Sequence, residues 1–240
     1  MTAKTAFVCA MPLELRPLTR RLALRRRDGI WTGAVAGRPV IATVTGMGTS
    51  HAAAGTEAIL RDGGVEQVIS VGITGGLGPT PPIGTLVLPE LVVNSATGAR
   101  FRPSGLTGPS GVGGQTPSGT MWTTDRLITG AEELAALRAR GVISLDMETA
   151  AIAEVCTAHG IPWSVFRVIS DRADDGTVNP EMFALSNSDG TPNPRRVARY
   201  VLRHPTALPG MAAMGRTVSR AADTAARAAI DALAASFGSG

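Results

Sequence analysis

Two cysteines, three histidines and nine aromatic side chains in 240 residues are few enough to remove several classes of protein at once. Cys9 falls in an apolar strand-like run and Cys156 in an apolar helical pattern, so both read as small core hydrophobes, and neither a disulfide framework nor a zinc spacing exists. His51 and His159 lie on helical patterns and His204 precedes Pro205, which leaves no ligand pair and no catalytic triad. No stretch approaches the ~18 apolar residues of a membrane span. Met1 leads straight into a strand-like segment without a leader pattern, so the expectation is a cytoplasmic protein. The formal charge of +4 is scattered except at Arg25-Arg26-Arg27, which reads as a solvated helix end. The aromatics do not cluster near these arginines, so the footprint of a nucleic-acid-binding domain is missing.

What is present is an ordinary globular balance, 44% hydrophobic and 18% charged, in a length that suits one large domain over residues 1–240. Strand-like and helical patterns alternate. Thr5 to Ala10 reads as a strand, Pro12 to Leu24 as a helix, 30–36 and 39–45 as a hairpin, and Ser50 to Arg61 as a helix. Gln67 to Val71 reads as a buried strand ending at the glycine-rich Gly72 to Gly76. A Gly, Ser, Thr and Pro-rich stretch over 96–119 reads as a long flexible loop. Strands at Thr120 to Thr123, Val142 to Leu145 and Trp163 to Ile169 then alternate with helices at Ala131 to Ala139 and Met147 to His159, and a helical C-terminal segment spans 195–237 with breaks at Pro205 and Pro209. The alternation predicts an α/β fold: three αβα layers around a central mixed, largely parallel sheet. The last helix carries Arg216, Arg220 and Arg227 along one side, a pattern that suits a solvated face or a peripheral membrane contact.

In such sheets ligands sit beyond the carboxyl ends of the strands, and three acidic residues stand there: Glu14, Glu148 and Asp171. On a helix beginning near Met147, Glu148 would share the apolar face and accept hydrogen bonds from sugar hydroxyls, although helix capping is an alternative that Asp146 can supply instead. Burial of Asp171 at a strand end would raise its pKa toward that of a general acid, and an ordinary turn accounts for it equally well. A surface helix explains Glu14 equally well, so by itself it is weak evidence. Gly72 to Gly76 permits close backbone approach to a ligand but has neither P-loop nor dinucleotide spacing.

Taken together, CAMPLEL at 9–15, TGMGTSHAA at 45–53, SVGITGGL at 70–77, GTLVLPE at 84–90, LDMETAAIAEVC at 145–156 and RVISDRAD at 167–174 resemble the nucleoside phosphorylase and nucleosidase superfamily over nearly the whole chain. The likeness is to the 5′-methylthioadenosine/S-adenosylhomocysteine nucleosidases. It implies an enzyme that cleaves the N-glycosidic bond of a purine nucleoside through an oxocarbenium-like sugar, with no metal or organic cofactor and with phosphate as a conceivable co-substrate. Asp171 would protonate or hydrogen-bond the purine at N7, Glu14 would activate water, and Glu148 would hold the ribose hydroxyls above Met147. Thr74 and Gly75 would lie against the ligand, Met11 and Met47 would line the sugar pocket, and the backbone of Ile128 would read the base edge. At least a homodimer is implied.

Two departures stand out. Leu127 replaces the aromatic residue that usually stacks on the purine, leaving Trp122 as a substitute, and Ser70 replaces the phosphate-binding arginine of the phosphorylases, leaving Arg16 or Arg20 to compensate. The segment SNSDGTPNPRRVARYVLRHPTALPGMAAMGR, with TTDRLITGAEELAAL, resembles hopanoid-associated members that remove adenine from adenosylhopane. A phosphorylase, an aminofutalosine-type hydrolase and a non-catalytic nucleoside-binding module are the alternatives.

Overall fold

The computed structural model describes residues 3–61, 63–78, 81–106, 118–176, 180–187 and 189–238. Its strands are β1 (Lys4–Cys9), β2 (Arg25–Arg27), β3 (Ile30–Val35), β4 (Arg38–Val44), β5 (Val65–Gly76), β6 (Leu86–Val87), β7 (Leu91–Asn94), β8 (Arg100–Phe101), β9 (Thr120–Thr123), β10 (Val142–Asp146) and β11 (Trp163–Arg172). The helices are α1 (Pro12–Arg21), α2 (Thr49–Arg61), α3 (Ala131–Ala139), α4 (Thr149–Ala158), α5 (Pro180–Phe183), α6 (Pro194–Arg203) and α7 (Leu208–Gly238), with a 3-10 turn at Pro205–Ala207.

Alternation along the strands builds the layers. In β1, Phe7 and Cys9 point into one core with Val40, Ala42, Ile69 and Val71, beneath α1 and α7. Ala6 and Val8 point to the other, with Ile41, Val68 and Val165, beneath α2 and α4. The two-residue period of a strand makes both faces apolar, which is what a sheet covered on both sides needs. Against this sheet α7 presents Ala221, Ala222, Ala225, Ala226, Ala229 and Leu233, small side chains that let a long helix approach closely.

The sheet is mixed and largely parallel. Its order is β2-β3-β4-β1-β5-β10-β9-β7-β8, with β11 pairing β5 and β6. β5 does not stop before its glycines: it runs twelve residues, through Gly76. Its first half pairs with β1, Gly75 and Gly76 pair antiparallel with β10, and β11 follows it from Val68 to Gly76. Glycines are normally poor in strand interiors, but here β11 pairs with Gly72, Gly75 and Gly76, β10 flanks the last two, and the missing side chains make room for others.

Several sequence expectations need correcting. Arg25-Arg26-Arg27 is an exposed strand paired with β3, not a helix end, because the following hairpin gives it a partner. Pro209 does not break the terminal segment: it sits in the first turn of α7, where proline is tolerated. The long loop predicted over 96–119 contains β8 paired with β7, and its stretch 107–117 lies outside the described residues. No helix among the described residues is long and apolar enough to cross a membrane.

Candidate active site

The carboxyl ends of β1, β5, β9, β10 and β11 converge on one cavity of about 190 Å³. Glu14, Glu148 and Asp171 line it, as do Met11, Met47, Thr74, Gly75, Ile128 and Met147, so all nine residues singled out from the sequence meet there.

Glu14 is buried in the first turn of α1. Its Oε2 accepts from the backbone amides of Ala10 (2.8 Å) and Met11 (3.0 Å), and its Oε1 from the amide of Ile73 (2.9 Å). A side chain on Gly72 would collide with this carboxylate, since a Cβ there would lie 2.2 Å from Oε1. That close approach is the work of the glycine inside β5. Burial pushes the Glu14 pKa upward, with Arg167 and the three amides opposing.

Glu148 precedes α4 rather than riding on it, a correction to the expected helix start at Met147. Asp146 does the capping: its Oδ2 accepts from the Thr149 amide (2.8 Å), and its Oδ1 from the Thr123 hydroxyl (2.6 Å). Relieved of that task, Glu148 Oε1 accepts from the Gly48 amide at 3.0 Å. Gly48 holds φ +96°, a conformation side chains disfavour, and this aims its amide across the cavity.

Beneath these groups lies Arg167, 2% exposed, which the sequence reading passed over. Its Nη2 approaches Asp146 Oδ2 (3.2 Å) and Glu148 Oε2 (3.3 Å), its Nη1 donates to the Ile73 carbonyl (2.7 Å), and Glu14 Oε1 lies 3.8 Å away. The available signal was an arginine inside the apolar run WSVFRVIS, which burial of a lone cation would forbid without partners. One guanidinium faces three carboxyls. Burial first, with the Asp146 and Glu14 charges adding to it against Arg167, pushes Glu148 from 4.5 up to about 7.

That shift has a consequence for stability. The folded chain holds the Glu148 proton more tightly than the unfolded chain, so this contribution is full below about 4.5 and is lost as pH rises through about 7. The ligand-free protein should therefore lose a few degrees of Tm across that window, and E148Q should remove this part of the slope. Calorimetry of both proteins checks it: parallel curves would mean that Glu148 ionises normally.

Asp171 is placed by a bulge. The pairing of β11 with β5 shifts between Ile169 and Asp171, so Ser170 is the extra residue and Asp171 turns into the cavity opposite Gly75. Burial pushes its pKa up, the hydrogen bond from Ser170 Oγ (2.5 Å) opposes, and Asp175 adds to the rise. Thr74 is oriented by donating its hydroxyl to the Leu145 carbonyl at 2.7 Å.

The proposed substitutes for missing family residues do not reach the cavity. Trp122 packs with Leu145 outside it, its ring covered by the Arg140 guanidinium at 4.6 Å, whereas Phe183 of α5 lines it. Arg20 pairs with Asp223 at 2.7 Å and Arg16 lines a separate groove beside Trp31. Ser70 is fully buried in β5, away from the cavity lining. Among the described residues no cluster of His, Cys, Asp and Glu could hold a metal ion.

Comparison with known proteins bears on the family and the fold. A family model for the phosphorylase superfamily matches residues 4–203. The 5′-methylthioadenosine/S-adenosylhomocysteine nucleosidase of Haemophilus ducreyi is 29% identical over 72% of this chain and 87% of its own. That of Baumannia cicadellinicola is 31% identical over 69% and 84%. The crystal structure of the Neisseria meningitidis nucleosidase with methylthio-immucillin-A superposes with a TM-score of 0.72 over 97% of this chain and 99% of that one, at 21% identity, which speaks to the fold. On the family match and the second of these relatives, the chain belongs to the phosphorylase superfamily, and it is similar to 5′-methylthioadenosine/S-adenosylhomocysteine nucleosidases within it.

Proposed function

We propose that this chain is a nucleosidase that hydrolyses the N-glycosidic bond of a 5′-substituted adenosine, releasing adenine. The observation that carries the choice of water over phosphate is the position of Glu14. Three backbone amides that would otherwise suit an anion already donate to its carboxylate. A phosphate ion entering there would meet the acceptor oxygens of Glu14 and Glu148, to which the buried Arg167 is already committed, whereas water can donate to them. Arg16 and Arg20 lie away from the cavity, and the two arginines that line it are already paired, Arg126 with Glu133 and Arg167 with Asp146 and Glu148.

In the proposed reaction Asp171 delivers its proton to N7 of adenine as the bond between C1′ and N9 breaks and its electron pair leaves with the base. Positive charge develops on the sugar, and Glu14 takes a proton from the water whose oxygen bonds to C1′. Asp171 is then reprotonated from solvent and Glu14 releases its proton. Each oxygen of Glu148 keeps lone-pair capacity for a ribose hydroxyl besides its bonds to Gly48 and Arg167. Met11, Met47 and Met147 give the sugar polarisable apolar walls, and Ile128 lies at the base end. The turn containing Gly190 presses on Met11, and Phe183 adds a ring, so the lining suits an apolar 5′ substituent, methylthio or the hydrocarbon of an adenosylhopane-like substrate.

Adenine release from 5′-methylthioadenosine, S-adenosylhomocysteine and a 5′-alkyl-extended adenosine, each with and without phosphate, tests the reading. We expect release that added phosphate does not accelerate, and faster release from the apolar substrates. Strict dependence on phosphate would make the chain a phosphorylase, and no release from any of the three would leave a nucleoside-binding module.

A further inference from the structure

We propose that α6 and the turn after it form a peripheral anchor that docks on anionic phospholipid. Between Asp189 and Asp223 the chain has no acidic residue, yet it carries Arg195, Arg196, Arg199, Arg203, Arg216 and Arg220. The first four lie on α6, a ten-residue helix with no buried residue. Spacings of three and four residues put Arg195, Ala198, Arg199, Leu202 and Arg203 on one outward face, while Val197, Tyr200 and Val201 turn partly toward the protein.

Leu202 is 83% exposed and, just beyond the helix, Leu208 is 51% exposed; with Ile83 these are the exposed large hydrophobics of the described residues. Arg196 is committed to the fold, donating to the carbonyls of Ala184 (3.1 Å) and Ser186 (3.2 Å), and Asn193 caps the helix. The element is thus held in place while its outward side stays open. Arg195, Arg199 and Arg203 form no ion pair with a described residue.

A patch of uncompensated arginines around protruding leucines is complementary to a negatively charged bilayer surface, where leucine enters the acyl boundary and arginine reaches phosphate. It is poorly suited to self-association about a two-fold axis, which would set like charges against one another. The leucines favour a bilayer over a nucleic acid, for which charge alone would do. α6 also follows directly on the segment that supplies Phe183 and presses Gly190 on Met11, so docking brings that end of the cavity next to the membrane. The consequence that an apolar 5′ substituent would be drawn from the bilayer rests on the reaction proposed above; the docking does not.

Co-sedimentation of the full chain with phosphatidylcholine vesicles, with and without a phosphatidylglycerol fraction, tests the anchor. We expect binding to the anionic vesicles at least tenfold tighter than to the neutral ones and weakened by salt. R195Q/R199Q/R203Q should lose about a hundredfold of that affinity, and L202Q/L208Q about tenfold. Both variants should turn over soluble 5′-methylthioadenosine like the parent, since none of these residues lines the cavity. Absence of binding to anionic vesicles, or retention of full affinity by either variant, would overturn the proposal. So would light scattering in which L202Q/L208Q converts an oligomer to a monomer, which would make the face an interface between copies of the chain.

Discussion

Replacement of Asp171 by Asn is expected to lower kcat for adenine release by roughly 10²–10⁴-fold while ligand binding remains measurable. The amide has nearly the shape of the carboxyl and can still accept from Ser170 Oγ, so the bulge that places residue 171 should persist. What disappears is the transferable proton. Burial raises the Asp171 pKa, which keeps more of the acid form at a given pH than an exposed aspartate would. On the alkaline side kcat/KM should fall as this proton is lost, and that limb should be absent from the residual activity of D171N. Measuring kcat alongside Kd for an uncleaved analogue separates the outcomes: unchanged turnover would place the acid elsewhere, and loss of both would mean that Asp171 positions the ligand rather than protonating it.

Replacement of Arg167 by Met should cost about 3–5 kcal/mol of stability, the usual consequence of removing one partner from a buried ion pair. Its side chain is 2% exposed and approaches Asp146, Glu148 and Glu14 together, so methionine would keep the volume but strand three carboxyls without a cation. Neutralising one of them should recover part of the loss. R167M/E148Q is therefore expected to be less destabilised than the sum of its single changes, a coupling that urea unfolding of the four proteins would measure. A loss below about 1 kcal/mol for R167M, or simple additivity, would mean that the carboxyls take up protons or solvent without needing the arginine.

Much of the fold was legible because it rests on local periodicity. Apolar runs at Thr5 to Ala10 and Trp163 to Ile169, helical patterns at Pro12 to Leu24 and Ala131 to Ala139, and their order along the chain suffice for a parallel-rich sheet between helices. Where the reading faltered, the deciding partner was distant in sequence. Arg25–Arg27 becomes a strand because β3 lies beside it, and β5 continues through Gly76 because β10 and β11 flank it. Thr149, rather than Met147, begins α4 because Asp146 takes the cap.

The candidate site divides in the same way. Glu14, Glu148 and Asp171 could be picked out from the sequence by their positions just after strands, and the family resemblance supplied the roles expected of them. Nothing local showed that Glu14 would be held by the Ile73 amide, that Ser170 would form the bulge that aims Asp171, or that Arg167 would stand under three carboxyls. Nor did it reveal that Trp122 would be covered by Arg140 while Phe183 reached the cavity. The sequence by itself determined the alternating elements, the apolar faces and which acidic side chains stand at strand ends, because those follow from spacing along one segment. Only the tertiary structure decided which amides, charges and rings face each acid, because hydrogen bonding, desolvation and Coulomb energy depend on distances between segments that the chain brings together on folding.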